Sequence, residues 1–423
     1  MQPTWRDRRD QLSRRWIYGL FILLPVLAVF GHRGVAPWLL LASLPAFARG
    51  DFWQGLFGRL FDHPSLKDPT FACLISLLAF CLWILLSGFW SPKHHYSLFL
   101  WILAPGLVGA SVVWFSLNLS RQWAWRLGRA FSLAVAGGMI VLAFEGVTGG
   151  FLRDIVPPKD ISPDGSRDMI ALGRGVTALA PALFPAAAIA VRVWSRGAAV
   201  LVLFIGLAAA LANDVAANAF AIGVGLGAAV ICLAAQRPVL RTAGWGAILF
   251  LLVSPFVAML LPVEATFELA RENYSKEVLA AATSALHRIA IWQAVGLKTL
   301  AGLPFGYGAD FSRIWSETAP MVIVPGAPSP LSVIPTHPHN IFLQTWLELG
   351  VPGVAALASF LFFGLKALLR ARLSKAVSAA VAGAFIAILI SINVEGSLWQ
   401  VWRFAAMALA ASGIALAHAL EKR

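Results

Sequence analysis

Charged side chains are scarce in this sequence: Asp, Glu, Lys and Arg make up 13% of 423 residues, against 59% hydrophobic. With a mean hydropathy of +0.77, that scarcity excludes a water-soluble globular chain and implies a multi-pass membrane protein. Acids are fewer than bases, 20 against 33, and the net charge is +13. The excess does not make a nucleic-acid surface, because the bases sit in short segments between apolar runs and no Lys/Arg-rich module with interleaved polar residues exists. Cysteine is nearly absent. Cys73, Cys81 and Cys232 all lie inside apolar runs without metal-ligand spacing, so they read as small buried apolar residues. There is no Walker A pattern, which argues against direct use of ATP. No Asp-x-Asp or comparable acidic pair stands in a loop where it could hold a divalent ion. His94 and His95 are adjacent, and His337 and His339 two apart, but neither pair has the acid that would complete a metal set.

What is present is a series of about twelve apolar runs, most near the roughly 20 residues a helix needs to cross a bilayer. They fall at 16–32, 35–49, 70–90, 97–118, 127–148, 175–193, 197–213, 215–236, 244–262, 340–366, 376–394 and 400–419, the second and seventh being short. The expected fold is therefore all-α, a polytopic integral membrane protein in a single transmembrane domain. The basic head with Arg6, Arg8, Arg9, Arg14 and Arg15 has no small-residue cleavage pattern after it, so the first run is expected to remain as a span. The positive-inside tendency puts that head in the cytoplasm. On the same side it places Arg49, Arg59 and Lys67, then Arg121 and Arg126, Arg192 and Arg196, Arg237 and Arg241, and the cluster from Lys366 to Lys375. Both termini are then cytoplasmic, and the two long connections, 149–174 and 263–339, are outside. Asp154, Asp160, Asp164 and Asp168 in the first, with Glu264, Glu268, Glu272 and Glu277 in the second, offset their bases.

The segment 263–339 is too long for a turn and reads as an outer cap. Leu286 to Val295 has the period of an amphipathic helix, Leu303-Pro304-Phe305-Gly306-Tyr307-Gly308 breaks it, and Pro320 to Pro335 is rich in Pro, Gly and Ser. The small residues from Gly206 to Gly227 predict closely packed spans. Three outer positions run against the positive-inside tendency: Arg174 at the mouth of the sixth span, Arg288 on the amphipathic segment, and His339 at the start of the tenth. A single such arginine is ordinarily a headgroup contact. Two arginines and a histidine on one surface would suit an anionic, lipid-linked substrate, since arginine offers bidentate donors to phosphate and neutral imidazole can take a proton. Glu145 and Arg403 are ionisable groups at membrane depth and so candidates by default, with pairing of Arg403 to Glu395 the plainer reading.

His339-Asn340, nine residues, Gly350 and then Gly-x-Pro-Gly through Gly353, with Glu348 two before Gly350, resembles the O-antigen ligase and polymerase superfamily of bacterial membrane glycosyltransferases. Arg288 with Trp292, then Pro304, Gly306 and Gly308, is similar to the stretch that precedes this histidine in the family. The resemblance implies a metal-independent enzyme without cofactors, in the bacterial inner membrane, that uses an undecaprenyl-diphosphate-linked glycan at the periplasmic face. It implies His339 as the catalytic histidine and Arg288 as a diphosphate-binding arginine. Arg174 is the candidate for the second arginine, with Arg167 and Arg153 as alternatives. His337, Asn340 and Trp292 join them as candidate substrate-binding residues, and no metal ligand is implied.

The function expected on this basis is O-antigen ligation, transfer of the glycan to a hydroxyl of the lipid A core by an inverting displacement. The alternative within the family is polymerisation of lipid-linked repeat units. The alternatives of another class are a flippase or exporter of lipid-linked glycans, which would not need His339, and an envelope scaffold.

Overall fold

The computed structural model describes residues 5–62, 65–155, 166–213 and 215–421. In the first half, α1 (Trp5–Ala28), α2 (Val35–Phe47), α3 (Gly50–Phe57), α4 (Pro69–Ser87), α5 (Leu100–Leu117), α6 (Arg121–Thr148), α7 (Phe151–Ile155) and α8 (Ser166–Val193) follow one another. Next come α9 (Arg196–Ala212), α10 (Ala216–Ala234), α11 (Gln236–Met259), α12 (Val263–Asn273), α13 (Lys276–Ala301) and α14 (Phe311–Thr318). A two-residue hairpin, β1 (Met321–Val322) with β2 (Leu331–Ser332), precedes α15 (Ile341–Arg370), α16 (Lys375–Val394) and α17 (Val401–Ala419). The chain is an all-α polytopic membrane protein. The helices form because the apolar runs leave the backbone no polar partner but itself.

Ten described helices are long and apolar enough to cross a membrane, where the sequence predicts twelve spans. The difference has a physical cause at each position. The apolar part of α1 is shortened by the arginines at its start, α2 has 13 residues and α9 has 17. The tenth is α13, which the sequence places in the cap and which runs unbroken for 26 residues. The acids Asp160 and Asp164 lie outside the described residues, as do the side chains of Arg59, Arg167 and Asp168.

The main core lies around α6, α8 and α17, with Trp38, Phe131, Leu142, Leu179 and Leu183 almost fully enclosed. The small-residue stretch of α9 and α10 packs as its composition predicts at Gly225, where a side chain would run into Phe184 and the carbonyl of Gly383. One feature of α15 positions the site. At Gly350 (φ 58°, ψ −158°) the helix is interrupted, and the turn 303–308 docks into the break. Val351 N–H donates to the Pro304 carbonyl (2.7 Å), while Tyr307 and Gly308 N–H donate to the carbonyls of Leu347 (3.0 Å) and Glu348 (2.8 Å). A Cβ at Gly350 would overlap Pro304, so the spacing of Pro304 and Gly306 against Gly350 is that of two backbones in contact.

Candidate functional site

The end of the bundle that carries His339 is defined by hydrogen bonds between helix ends. Asn340 caps α15, its Oδ1 accepting from Leu343 N–H (3.0 Å), and Asn393 near the end of α16 accepts from Phe342 N–H (3.3 Å). Trp346 Nε1 donates to Leu251 of α11 (2.7 Å), so α11 ends and α15 begins at this same end. Beneath it Glu348, wholly buried, accepts from Asp310 N–H (2.8 Å), Ser312 N–H (3.3 Å) and its hydroxyl, Gln344 Nε2 (2.9 Å) and Trp399 Nε1 (2.9 Å). Gln344 in turn accepts from Leu398 N–H (2.8 Å). One carboxylate thus ties α14, α15 and the 397–400 turn together, and a buried acid supplied with this many donors is a structural hub.

Above the hub stand the two histidines. His339 has φ 56°, a left-handed conformation that costs a side-chain-bearing residue energy and is found at sites over-determined by their surroundings. Three bonds hold it there: the Asn340 cap, Trp292 Nε1 donating to the Pro338 carbonyl (3.1 Å), and His339 N–H donating to His337 Nδ1 (3.2 Å). The last bond requires a lone pair on His337 Nδ1, so neutral His337 carries its proton on Nε2. The two rings lie 4.3 Å apart, and the His339 Nδ1 atom is buried without a partner. Burial, then His337 and the Arg288 guanidinium, pushes the His339 pKa down to about 2. Burial, then Arg403 and Arg174, pushes that of His337 down to about 3. Both rings are therefore neutral across the physiological range, and each feels the charge of arginines from other helices.

Those arginines converge from α13, α8 and α17. Arg288 lies 3.9 Å from the Glu395 carboxylate, a loose pair that leaves its Nε without a partner. Arg174 and Arg403 also feel the Glu395 charge, and Arg403 feels that of Arg174. Arg403 differs in being used up: its guanidinium donates to Gln400 Oε1 (2.5 Å), Ser391 Oγ (2.6 Å) and the Glu395 carbonyl (2.9 Å), and it stacks on Trp402 (4.4 Å). The pair expected between Arg403 and Glu395 is made only to the Glu395 backbone carbonyl; its carboxylate turns instead toward Arg288. Arg288, Arg174, His337 and His339 thus come to one place, with Asn340 and Trp292 bonded to the backbone that carries His339. Of the alternatives to Arg174, Arg153 is buried with its guanidinium toward the Val29 carbonyl (3.5 Å). Glu145 accepts from Leu152 and Arg153 N–H (2.8 and 3.1 Å), capping α7.

Sequence reasoning missed His32 and Arg33. The 31–34 turn presses against α8 because Gly31 (φ 59°) and Gly175 meet without side chains between them, bringing His32 and Arg33 beside Arg174. Burial, with Arg174 next in effect, pushes His32 down to about 4, and its ring packs on Trp402 (4.9 Å). Gly-His-Arg-Gly between two apolar runs was the available signal, a further arginine against the positive-inside tendency. Among the described residues no group of three or more His, Cys, Asp or Glu is placed to hold a metal. His95 Nδ1 instead meets Asp310 (3.1 Å), which also accepts from Arg313.

Fold and site together define a multi-pass α-helical membrane protein with buried neutral histidines among arginines at one end of its helices. Residues 199–358 match the family model described as O-antigen ligase, so this segment of the chain is similar to that family. The matched stretch contains Arg288, Trp292, His337, His339, Glu348 and Gly350 and stops short of Arg403, while Arg174 precedes it. The chain is similar to provisionally named polysaccharide ligases of Rickettsia prowazekii, 32% identical over 145 residues, and Rickettsia typhi, 31% over 145. A third, from Rickettsia conorii, is 32% identical over 148 residues. The aligned part spans about a third of each chain, 34% of this one and 35% of the first two relatives.

Proposed function

We propose that this protein transfers a glycan from a lipid diphosphate, of the undecaprenyl kind, to an acceptor hydroxyl, and that the acceptor is the lipid A core oligosaccharide. The observation that carries the reading is the convergence of Arg288 on the neutral His339 and of Arg174 and Arg288 on its neighbour His337. In the proposed step the acceptor oxygen attacks the anomeric carbon as the sugar–phosphate bond breaks. The acceptor proton passes to His339, the diphosphate leaves with the bonding pair, and the configuration inverts. Arg288 and Arg174 bind the leaving diphosphate, whose negative charge rises in the transition state, so no metal is required for that role. The loose Arg288 to Glu395 pair is suited to exchange one carboxylate for a phosphate. Asn340, Trp292 and His337 position His339. The segment 263–339, which follows α11 and returns to α15 at the same end of the bundle, forms a periplasmic cap that selects the acceptor, and both termini are cytoplasmic.

The test is glycan transfer by purified protein in detergent with chelator, undecaprenyl-diphosphate glycan and lipid A core, comparing wild type with His339→Ala. Product from wild type and none from the variant, with donor binding retained, is expected. Elongation of the donor without modification of the core would make the protein a polymerase. Absence of both products with intact donor binding would favour transport.

A further inference from the structure

At the opposite end of α1 and α6 lies a second cationic site. Arg126 and Arg129 stand near the start of α6, about 19 residues and roughly 28 Å from Glu145, which is close to one hydrocarbon thickness. Between α1 and α6 is a groove of about 510 Å³ lined by Arg15, Tyr18, Trp123, Trp125, Arg126 and Arg129, with Ala130 and Leu133 at its apolar end. The aromatic rings are wall and counter-surface to the guanidinium groups: Arg126 lies over Trp123 (5.2 Å) and Arg129 over Trp125 (4.7 Å). Two acids near this end, Asp10 and Glu421, are engaged elsewhere. Asp10 is paired with Arg49 (2.5 Å) and Arg14 (3.8 Å), and Glu421 with Arg192 (3.0 Å). Among the described residues, Arg15, Arg126 and Arg129 have no acidic partner.

What continues from the groove is apolar and uncovered. Tyr18, Ile22 and Val26 on α1, and Leu133, Ile140, Phe144 and Val147 on α6, recur at three, four or seven residues and are all more than a third exposed. Each set therefore runs down one helix face. Between them the helices touch, Gly137 closing on Pro25. Three unpaired guanidinium groups, aromatic rings at the same level and an apolar stripe of membrane length match one ligand class, a phosphate carrying acyl chains. The guanidinium groups and three aromatic rings line one groove at the level where a headgroup phosphate would lie above its acyl chains.

We propose that the groove between α1 and α6 binds one anionic phospholipid, its phosphate held by Arg15, Arg126 and Arg129 and its chains laid along the two stripes. The test is native mass spectrometry of delipidated protein in detergent, titrated with phosphatidylglycerol, phosphatidylcholine of the same chains, or inorganic phosphate. Wild type is expected to retain one phosphatidylglycerol where phosphatidylcholine is lost, and excess inorganic phosphate is expected not to displace it. Arg126→Gln with Arg129→Gln should weaken retention on the order of five-fold for each arginine removed, while Arg196→Gln with Arg241→Gln, an equal loss of charge outside the groove, should not. Equal retention of the two lipids by wild type, displacement by phosphate, or equal weakening by both double variants would overturn the assignment. The wild-type comparison needs no variant, so misfolding of one cannot hide the answer.

Discussion

In the proposed reaction His339 is the base, and its surroundings keep it neutral. Because burial, His337 and neighbouring arginines hold His339 near 2, and burial and arginines hold His337 near 3, the free protein needs no deprotonation step on entering the neutral range. The pH profile of kcat/KM should therefore lack the usual acid limb between about pH 6 and 7 that an ordinary histidine base produces. An acid limb there would mean that His339 is open to solvent and titrates normally. The same depression sets a stability dependence. The unfolded chain binds protons at these two positions below about pH 6.5 and the folded one does not, so their contribution is full above that pH and is lost as pH falls toward the folded values. Thermal unfolding in detergent should move to lower temperature between pH 7 and 5, and less so in His337→Gln. Glu395 makes a different prediction. Glu395→Gln removes the carboxylate that Arg288 and Arg174 face, so the donor KM should fall several-fold, with kcat unchanged or lower because product diphosphate leaves more slowly.

Two elements depend on backbone contact, and their substitutions should act through folding. Gly350→Ala places a methyl group in the Pro304 turn and forces a side-chain-bearing residue into a left-handed break, a strain on the order of 1–3 kcal/mol before the overlap is counted. A lower unfolding temperature and a lower yield of monodisperse protein are expected, and an unchanged melt would mean that the 303–308 turn does not dock on α15. Glu348→Ala should be at least as damaging, because it leaves the Ser312, Gln344 and Trp399 donors buried without their acceptor. Gly-x-Pro-Gly and the residues from Pro304 to Gly308 could be seen in the sequence as two separate motifs. Their mutual contact could not, because nothing in a linear spacing says which backbone fills the break of another helix.

The path of α13 decides how the molecule is threaded. By length and composition it could cross the membrane, yet α11 ends and α15 starts at one end of the bundle, and Gln293 near the middle of α13 donates to Leu261 just after α11 (2.7 Å). A helix that starts and finishes on one side makes no net crossing. Cysteines introduced at Ser275 and Gly302, on either side of α13, should both be labelled by an impermeant maleimide from the periplasm. Labelling of Ser275→Cys alone would make α13 a true span and would reverse the side on which α15 begins.

Hydropathy alone established that this is a membrane-spanning α protein, and residue chemistry picked out Arg174, Arg288 and His339 as positions apart from the basic clusters that orientation would require. Both follow from local physics: an apolar run must satisfy its own backbone in lipid, and a lone charge near lipid must have a reason to be there. The small-residue stretch likewise announced close packing before any helix was placed. Only the tertiary structure brought Arg403 and Glu395 beside these residues, added His32 and Arg33, and made His337 an acceptor for the backbone of His339. It also turned Asn340, Trp292 and Glu348 into the supports of the site. These depend on where helix ends meet, which is set by side-chain packing between segments far apart in the chain and leaves no periodic trace along it.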